Sequence, residues 1–465
     1  MAEDEETAPW QPAIRKGGGP LYLAIADALA SDIQSGALAA GTRLPTQRRL
    51  AEALGIDFTT VTRAYTEARR RGLIEGRVGH GTFVRARPSP RALSPSSSIV
   101  DMAMNLPPRF ADARLAARLW QGIATLEAGD GLDLLLCYQE PGGTVQDRAA
   151  GAQWLGRRFP LLATERLLVS AGTQGALLAI TSQLTVPGDV VCVEALTYPG
   201  FRALASHLRL RLAPVEIDAE GLVPEAFAAA CRRERPKALY CTPTLHNPTT
   251  ATMSLARRTA IAAVAREHGV PIIEDDAYAM LPAAPLPPLA TLAPELTYYV
   301  AGLAKCLSPA LRVAYVVPPD ASAAARLAGA IRATTTMASP LTVATATRWI
   351  EDGTADAVTA AIRAEAAARR AILRALLPDG VLSAPVDAFH AWLALPPPWT
   401  SAMFVARLRS AGIGVVGADQ FAAGTAPEAV RLSLGAARTR DELSAGLAVV
   451  ADLLAERPRL SALVV

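Results

Sequence analysis

Between residues 166 and 317, seven short apolar runs alternate with helical patterns: RLLVSAG, VVCVEA, RLAPVEI, ALYCTP, PIIEDD, TYYVAG and LRVAYVV. This rhythm constrains the fold more than any other feature of the chain. Runs so short and so apolar are strands buried on both faces, and helical segments between them act as crossovers. The pattern therefore predicts an α/β domain with a mostly parallel sheet. Beyond about Ala325 the pattern turns helical, then returns to strands near AFHAWLALP and AVRLSLG, which predicts a smaller α+β unit at the C-terminal end. No internal repeat is visible. A chain of 465 residues is too long for one core, so more than one domain is expected.

The N-terminal part has a different character. Net charge over the whole chain is only +3, yet residues 14–87 hold 12 Lys and Arg against 6 Asp and Glu. A basic excess confined to a domain-sized stretch points to a polyanion partner for that stretch alone. Pro20 opens a helical pattern with Leu21, Ile25, Leu29 and Ile33 on one face. Thr46 can cap a second helix, RRLAEAL, and Asp57 a third, FTTVTRAYTEARRRG, whose stripe is Val61, Tyr65 and Ala68. LIEGRVGHGTFVRA then reads as two short strands around a Gly-rich tip. Three helices and a hairpin make an α+β winged helix-turn-helix over residues 20–87. The composition predicts a disordered tail over 1–19, a Pro/Ser linker over 88–104 and the α/β domain with its smaller subdomain over 105–465.

DNA readers need side chains that reach base edges and cations that hold phosphates. Arg43, Arg48, Arg49 and Arg63 can serve phosphates or guanines, Thr59 and Thr60 lie in the first turn of the third helix, and Arg77 and His80 lie on the wing. In the second part the conspicuous residue is Lys305, one of three lysines with Lys16 and Lys237, set in the apolar stretch AGLAKCLSPALRVAYVV. A desolvated lysine loses its proton and can attack a carbonyl to give a Schiff base. Other fragments fit one cofactor. Asp275 ends a buried strand, Asn247 lies in a strand-end turn, and Gly172, Thr173 and Gln174 start a helix that can cradle a phosphate. Tyr198 offers a ring for stacking and Arg312 a nearby cation. Together they are the parts that pyridoxal 5'-phosphate (PLP) needs.

The stretch LYLAIADALASDIQSGALAAGTRLPTQRRLAEALGIDFTTVTRAYTEARRRGLIEGRVGHGTFV resembles the winged-helix domain of GntR-family transcription regulators, with G-x-R-L-P-[ST]-x-R-x-L-A standing at 41–51. From about Asn105 onward the chain resembles fold-type I aminotransferases, and as a whole it resembles the MocR-type subfamily of GntR regulators. The resemblance implies that Arg43, Arg48, Thr59, Thr60, His80 and Gly81 face double-stranded operator DNA. It implies that Lys305 carries PLP, Asp275 pairs with the pyridine nitrogen, and Asn247 and Tyr278 bond the phenolic oxygen. Tyr198 would stack on the ring, while Thr173, Gln174 and Arg312 would hold the phosphate. It also implies a homodimer in which Tyr138 reaches the neighbour's phosphate, and Arg431 as the ligand of an effector carboxylate. The chain departs from the pattern at Arg49, Phe58, Thr62 and Thr250, and at Gly302 and Ala304, where the family carries hydroxyls that bond the phosphate.

Five scattered cysteines without CxxC spacing read as thiols in a reducing cytoplasm, not as a disulfide frame or a zinc site. The acidic start MAEDEETAPW is unlike a signal peptide, and no run of about 18 apolar residues predicts a membrane span. Three functions remain open: a PLP-dependent regulator sensing an amino compound or PLP itself, an active aminotransferase with a DNA-binding appendage, and a ligand sensor that has lost PLP.

Overall fold

The computed structural model describes residues 10–12, 20–35, 37–39, 41–77, 81–84, 100–128 and 131–456. The chain divides into two compact units, Met1–Ser97 and Ser98–Val465.

The first unit consists of helices α1 (Leu21–Ser35), α2 (Gln47–Leu54) and α3 (Phe58–Arg70) with an antiparallel hairpin of β1 (Ile74–Arg77) and β2 (Gly81–Val84). Local chemistry sets the helix starts. The Thr46 hydroxyl accepts from the Arg49 amide at 3.3 Å, and with arginine at that position only half of a capping box can form. The Asp57 carboxylate accepts from the Thr59 amide at 2.8 Å. Ile25, Leu29, Leu50, Val61, Tyr65, Ala68, Ile74 and Val84 are buried, and the Tyr65 hydroxyl donates to the Pro45 carbonyl at 2.8 Å. Two expectations need correction. Leu21 is not part of the buried stripe: it is 39% exposed. The tail is not wholly without structure either, since the Trp10 indole donates to Asp32 at 2.8 Å and its ring packs beside the core. The stretch PSPRALSPSSS lies outside the described residues.

In the second unit all seven apolar runs become strands: β3 (Leu168–Ser170), β4 (Val190–Glu194), β5 (Arg211–Val215), β6 (Ala238–Cys241), β7 (Ile272–Asp275), β8 (Thr297–Gly302) and β9 (Ala314–Val317). They form one sheet in the order β3-β9-β8-β7-β6-β4-β5. β9 runs antiparallel to both its neighbours and the other pairings are parallel, so the sheet is mixed. A second sheet is antiparallel: β10 (Leu382–Ser383), β11 (His390–Ala394), β12 (Val416–Gly417) and β13 (Ala429–Ser433), in the order β10-β11-β13-β12. It has its own core, which includes Leu393, Phe404, Leu432 and Leu447.

The end of the expected linker belongs to this smaller subdomain. Val100–Asp101 pairs in parallel with Ile413–Gly414, and Met102 is fully buried in the same core. The Ser433 amide donates to the Met102 carbonyl at 2.9 Å. The linker assignment over 100–104 is therefore corrected. The sequence VDMAM carries the apolar Val100 and Met102 at strand spacing, and their burial outweighs the Ser- and Pro-rich composition just before them.

Candidate functional site

A cavity of about 520 Å³ opens at the carboxyl ends of β3, β6, β7 and β8, where ligands of open α/β sheets are bound. Lys305, Asp275, Tyr278, Asn247, Tyr198, Thr173, Gln174, Arg312 and Arg431 all line it. Tyr138 does not: it is 86% exposed and stands outside the cavity of its own chain.

Each side chain is positioned by a traceable cause. Asp275 ends β7, and its Oδ2 accepts from the Tyr240 hydroxyl at 2.9 Å, while Tyr240 is stacked on Phe201 at 3.8 Å. Its Oδ1 is buried without a partner. Burial raises the Asp275 pKa to about 7. Burial, then the nearby Arg431 charge, lower that of Lys305 to about 8. The Lys305 amine donates to the Asn105 carbonyl, and the Asn105 amide donates to the Tyr278 hydroxyl at 2.8 Å. Arg431 on β13 donates to Asn247 Oδ1 at 2.8 Å and to the Ala103 carbonyl, which leaves Asn247 Nδ2 as that amide's free donor end.

At the other end of the cavity, the helix α4 (Gly172–Leu184) begins directly after β3, and Arg312 lies against Gly172. Arg312 makes no ion pair among the described residues. Two glycines permit close approaches here. A Cβ on Gly302 would sit 2.1 Å from Thr173 Oγ1, so the threonine hydroxyl already fills the space that a side chain at 302 would need. A Cβ on Gly200 would sit 2.4 Å from the Tyr198 ring, which folds back over that position.

Sequence reasoning missed Asn105, Tyr240 and Phe421. Asn105 had been placed only as the first residue of its domain, yet it touches Lys305, Tyr278 and Ser433. Its partners lie 173 to 328 positions away, so no local pattern announces it. Phe421 lies 5.0 Å from the Arg431 guanidinium.

On the first unit, Arg43, Arg48, Arg49, Thr59 and Gly81 are exposed and Thr60 is half-buried. Arg43 lies beside Gly81, joining α2's approach to the hairpin. Arg63 is exposed with its guanidinium 4.3 Å above the Tyr22 ring. By contrast Arg70 and Arg71 are engaged by Glu67, and Arg71 also by Asp27. His80 and the side chain of Arg77 lie outside the described residues. Phe58, noted only as a departure, is 48% exposed on the first turn of α3, where an apolar group can meet a thymine methyl.

The description "Bacterial regulatory proteins, gntR family" matches residues 21–84, and "Aminotransferase class I and II" matches residues 108–450. The chain is 30% identical over 451 residues, 96% of each chain, to the uncharacterized HTH-type transcriptional regulator YdeF of Bacillus subtilis. It is 27% identical to the vitamin B6 salvage pathway transcriptional repressor PtsJ of Salmonella typhimurium, over 80% of this chain and 84% of that one. The chain belongs to the MocR-type subfamily of GntR regulators. This MocR-type chain is thus a DNA-binding transcription regulator with an aminotransferase-like domain. Its larger unit is similar to LysN, an α-aminoadipate aminotransferase of Thermus thermophilus, with a TM-score of 0.68 and 26% identity over 77% of this chain and 92% of that one. Aminotransferases of this class typically depend on PLP. No helix among the described residues of this MocR-type chain is long and apolar enough to cross a membrane.

Proposed function

We propose that this regulator binds PLP at Lys305, reads an amino compound in the same cavity and answers through operator DNA held by its winged helix. The observation that carries the reading is the convergence of Lys305, Asp275, Arg312 and Arg431 on one cavity, with Asp275 Oδ1 buried and unpartnered. A buried carboxylate oxygen without a partner is costly, and the ring nitrogen of PLP, protonated, is a partner of the right charge. The residues therefore fit the cofactor. Bound there, it supplies an aldehyde with which amines condense. Lys305, with its pKa near 8, offers a neutral amine in a usable fraction at physiological pH. Arg312, Thr173, Gln174 and the amino end of α4 hold the phosphate. Tyr198 covers the ring, and Asn247 and Tyr278 face the phenolic oxygen. Thr173 stands in the space left by Gly302, which moderates the loss of phosphate bonds expected at that position.

The route to DNA starts at residues 102–106. Arg431 donates to the Ala103 carbonyl and Lys305 to the Asn105 carbonyl, so an effector carboxylate and the cofactor aldehyde claim groups that now hold this segment. A ligand that breaks such contacts favours a different arrangement of residues 102–106.

The unit presents Trp120, Leu132, Leu135 and Leu136, each between 68% and 74% exposed, in the same region as Tyr138. Apolar exposure on this scale fits a homodimer in which Tyr138 reaches the neighbour's cavity.

The test is the visible spectrum of the purified full-length protein with PLP, followed by borohydride reduction and peptide mapping. A yellow protein with the label on Lys305 is expected. A label on Lys237 overturns the assignment, a colourless protein favours a sensor without PLP, and repeated turnover with an amino acid and a 2-oxo acid favours a working aminotransferase.

A further inference from the structure

The proposed site leaves the effector's side chain open, and the wall around Arg431 narrows it. Arg431 on β13 stands directly opposite Val416 on β12 and Trp392 on β11. Directly opposed residues of an antiparallel sheet share a face, so the guanidinium rises between a valine and a tryptophan. The Phe421 ring, 1% exposed, lies 5.0 Å from the guanidinium and meets the Trp392 ring edge-on at 6.4 Å. Val416, Phe421, Met104, Leu106 and Pro309 line the cavity, and Gln420 adds one neutral polar group.

The charges of the cavity are otherwise engaged. Among the described residues its cations are Lys305, Arg312 and Arg431, and its carboxylate is Asp275. On the reading above these four take the aldehyde, the phosphate, the effector carboxylate and the ring nitrogen. Asp101, an exposed acid outside the cavity whose charge bears on Arg431, accepts from the Ala103 and Met104 amides through Oδ1 at 2.8 and 3.2 Å. A second charge on the effector would lose its water against Val416 and Phe421 and gain no partner.

We propose that the effector is an α-amino acid whose side chain is uncharged and mainly apolar. The inference rests on the PLP and Arg431 assignments, and the experiment separates them. Full-length protein loaded with PLP is titrated with L-leucine, L-phenylalanine, L-glutamate, L-lysine and 3-methylbutylamine, followed by absorbance and by calorimetry. Leucine or phenylalanine should half-saturate at concentrations at least about tenfold below glutamate and lysine, since a charge that loses its water without gaining a partner is costly. Glutamate or lysine binding as tightly overturns the side-chain inference alone. 3-Methylbutylamine matching leucine overturns the carboxylate role of Arg431. A protein that cannot be loaded with PLP overturns the cofactor-site reading itself, and a loaded protein that responds to no compound by either readout overturns the effector inference. As an independent check, Val416→Arg should shift the preference from leucine toward glutamate by about tenfold or more, the size expected for one added charge pair in a partly buried site. An unchanged preference places the effector side chain elsewhere and overturns the inference.

Discussion

The winged helix and the cavity use charge in opposite ways. On the winged helix, Arg43, Arg48 and Arg49 stand in water, with no ion pair among the described residues. In the cavity, Asp275 and Arg431 are buried and Lys305 is half-buried, and desolvation shifts each of their pKa values toward the neutral form. Exposed charge is cheap to keep and acts over a Debye length on any polyanion. Buried charge is costly to keep and acts only on a ligand that supplies the missing partner. One region is built for long-range attraction, and the other for discrimination between small molecules.

Salt is the strongest lever on this contrast. Raising it from 50 to 200 mM should weaken operator binding by roughly 10³-fold if several phosphates are contacted, as measured by fluorescence anisotropy. PLP binding by the same protein should move by no more than about threefold, because its charged groups are shielded from solvent. Comparable slopes for both ligands would erase the distinction drawn above.

The next effect belongs to the cavity. On the proposed reading, capture of PLP by Lys305 requires the neutral amine. With a pKa of about 8, the neutral fraction falls as pH drops below that value. The rate of colour formation should be about a hundredfold lower at pH 6 than at pH 9. A profile still rising tenfold per unit above pH 9 would mean that the lysine is not desolvated.

Arg48→Ala should cost operator binding roughly 1–3 kcal/mol if the contact is to a base, or reduce the salt slope by about one if it is to phosphate, with PLP capture unchanged. The smallest effect is expected at Gly302→Ser. The new side chain meets the Thr173 hydroxyl, which can swing away, so PLP affinity should fall only about threefold, near the worth of one ordinary hydrogen bond. Combining it with Thr173→Ala should restore most of that loss, and an equal or larger loss in the double variant would show that the two positions do not share one space.

Much of this was legible in the chain, and the reasons are local. The seven apolar runs each sit between turn residues, so period and punctuation agree, and every one became a strand. The place of Lys305, Asp275, Asn247 and Thr173 along one cavity was legible because strand ends and helix starts carry their own signals. The antiparallel course of β9 was not, since LRVAYVV reads the same in either direction. Nor was Tyr240, a strand aromatic like any other until its hydroxyl is seen on Asp275. Residues 100–106 were hidden for a further reason. Their partners, Gly412, Arg431 and Ser433, lie more than 300 positions downstream, and only the folded chain brings them together.

That segment fixes where the second unit begins. Among the described residues of that unit the first strand, Val100–Asp101, lies on the small sheet's subdomain beside Ile413–Gly414, and the chain then passes Lys305. The start of the second unit is therefore anchored on the subdomain that carries Arg431, and not on the large sheet.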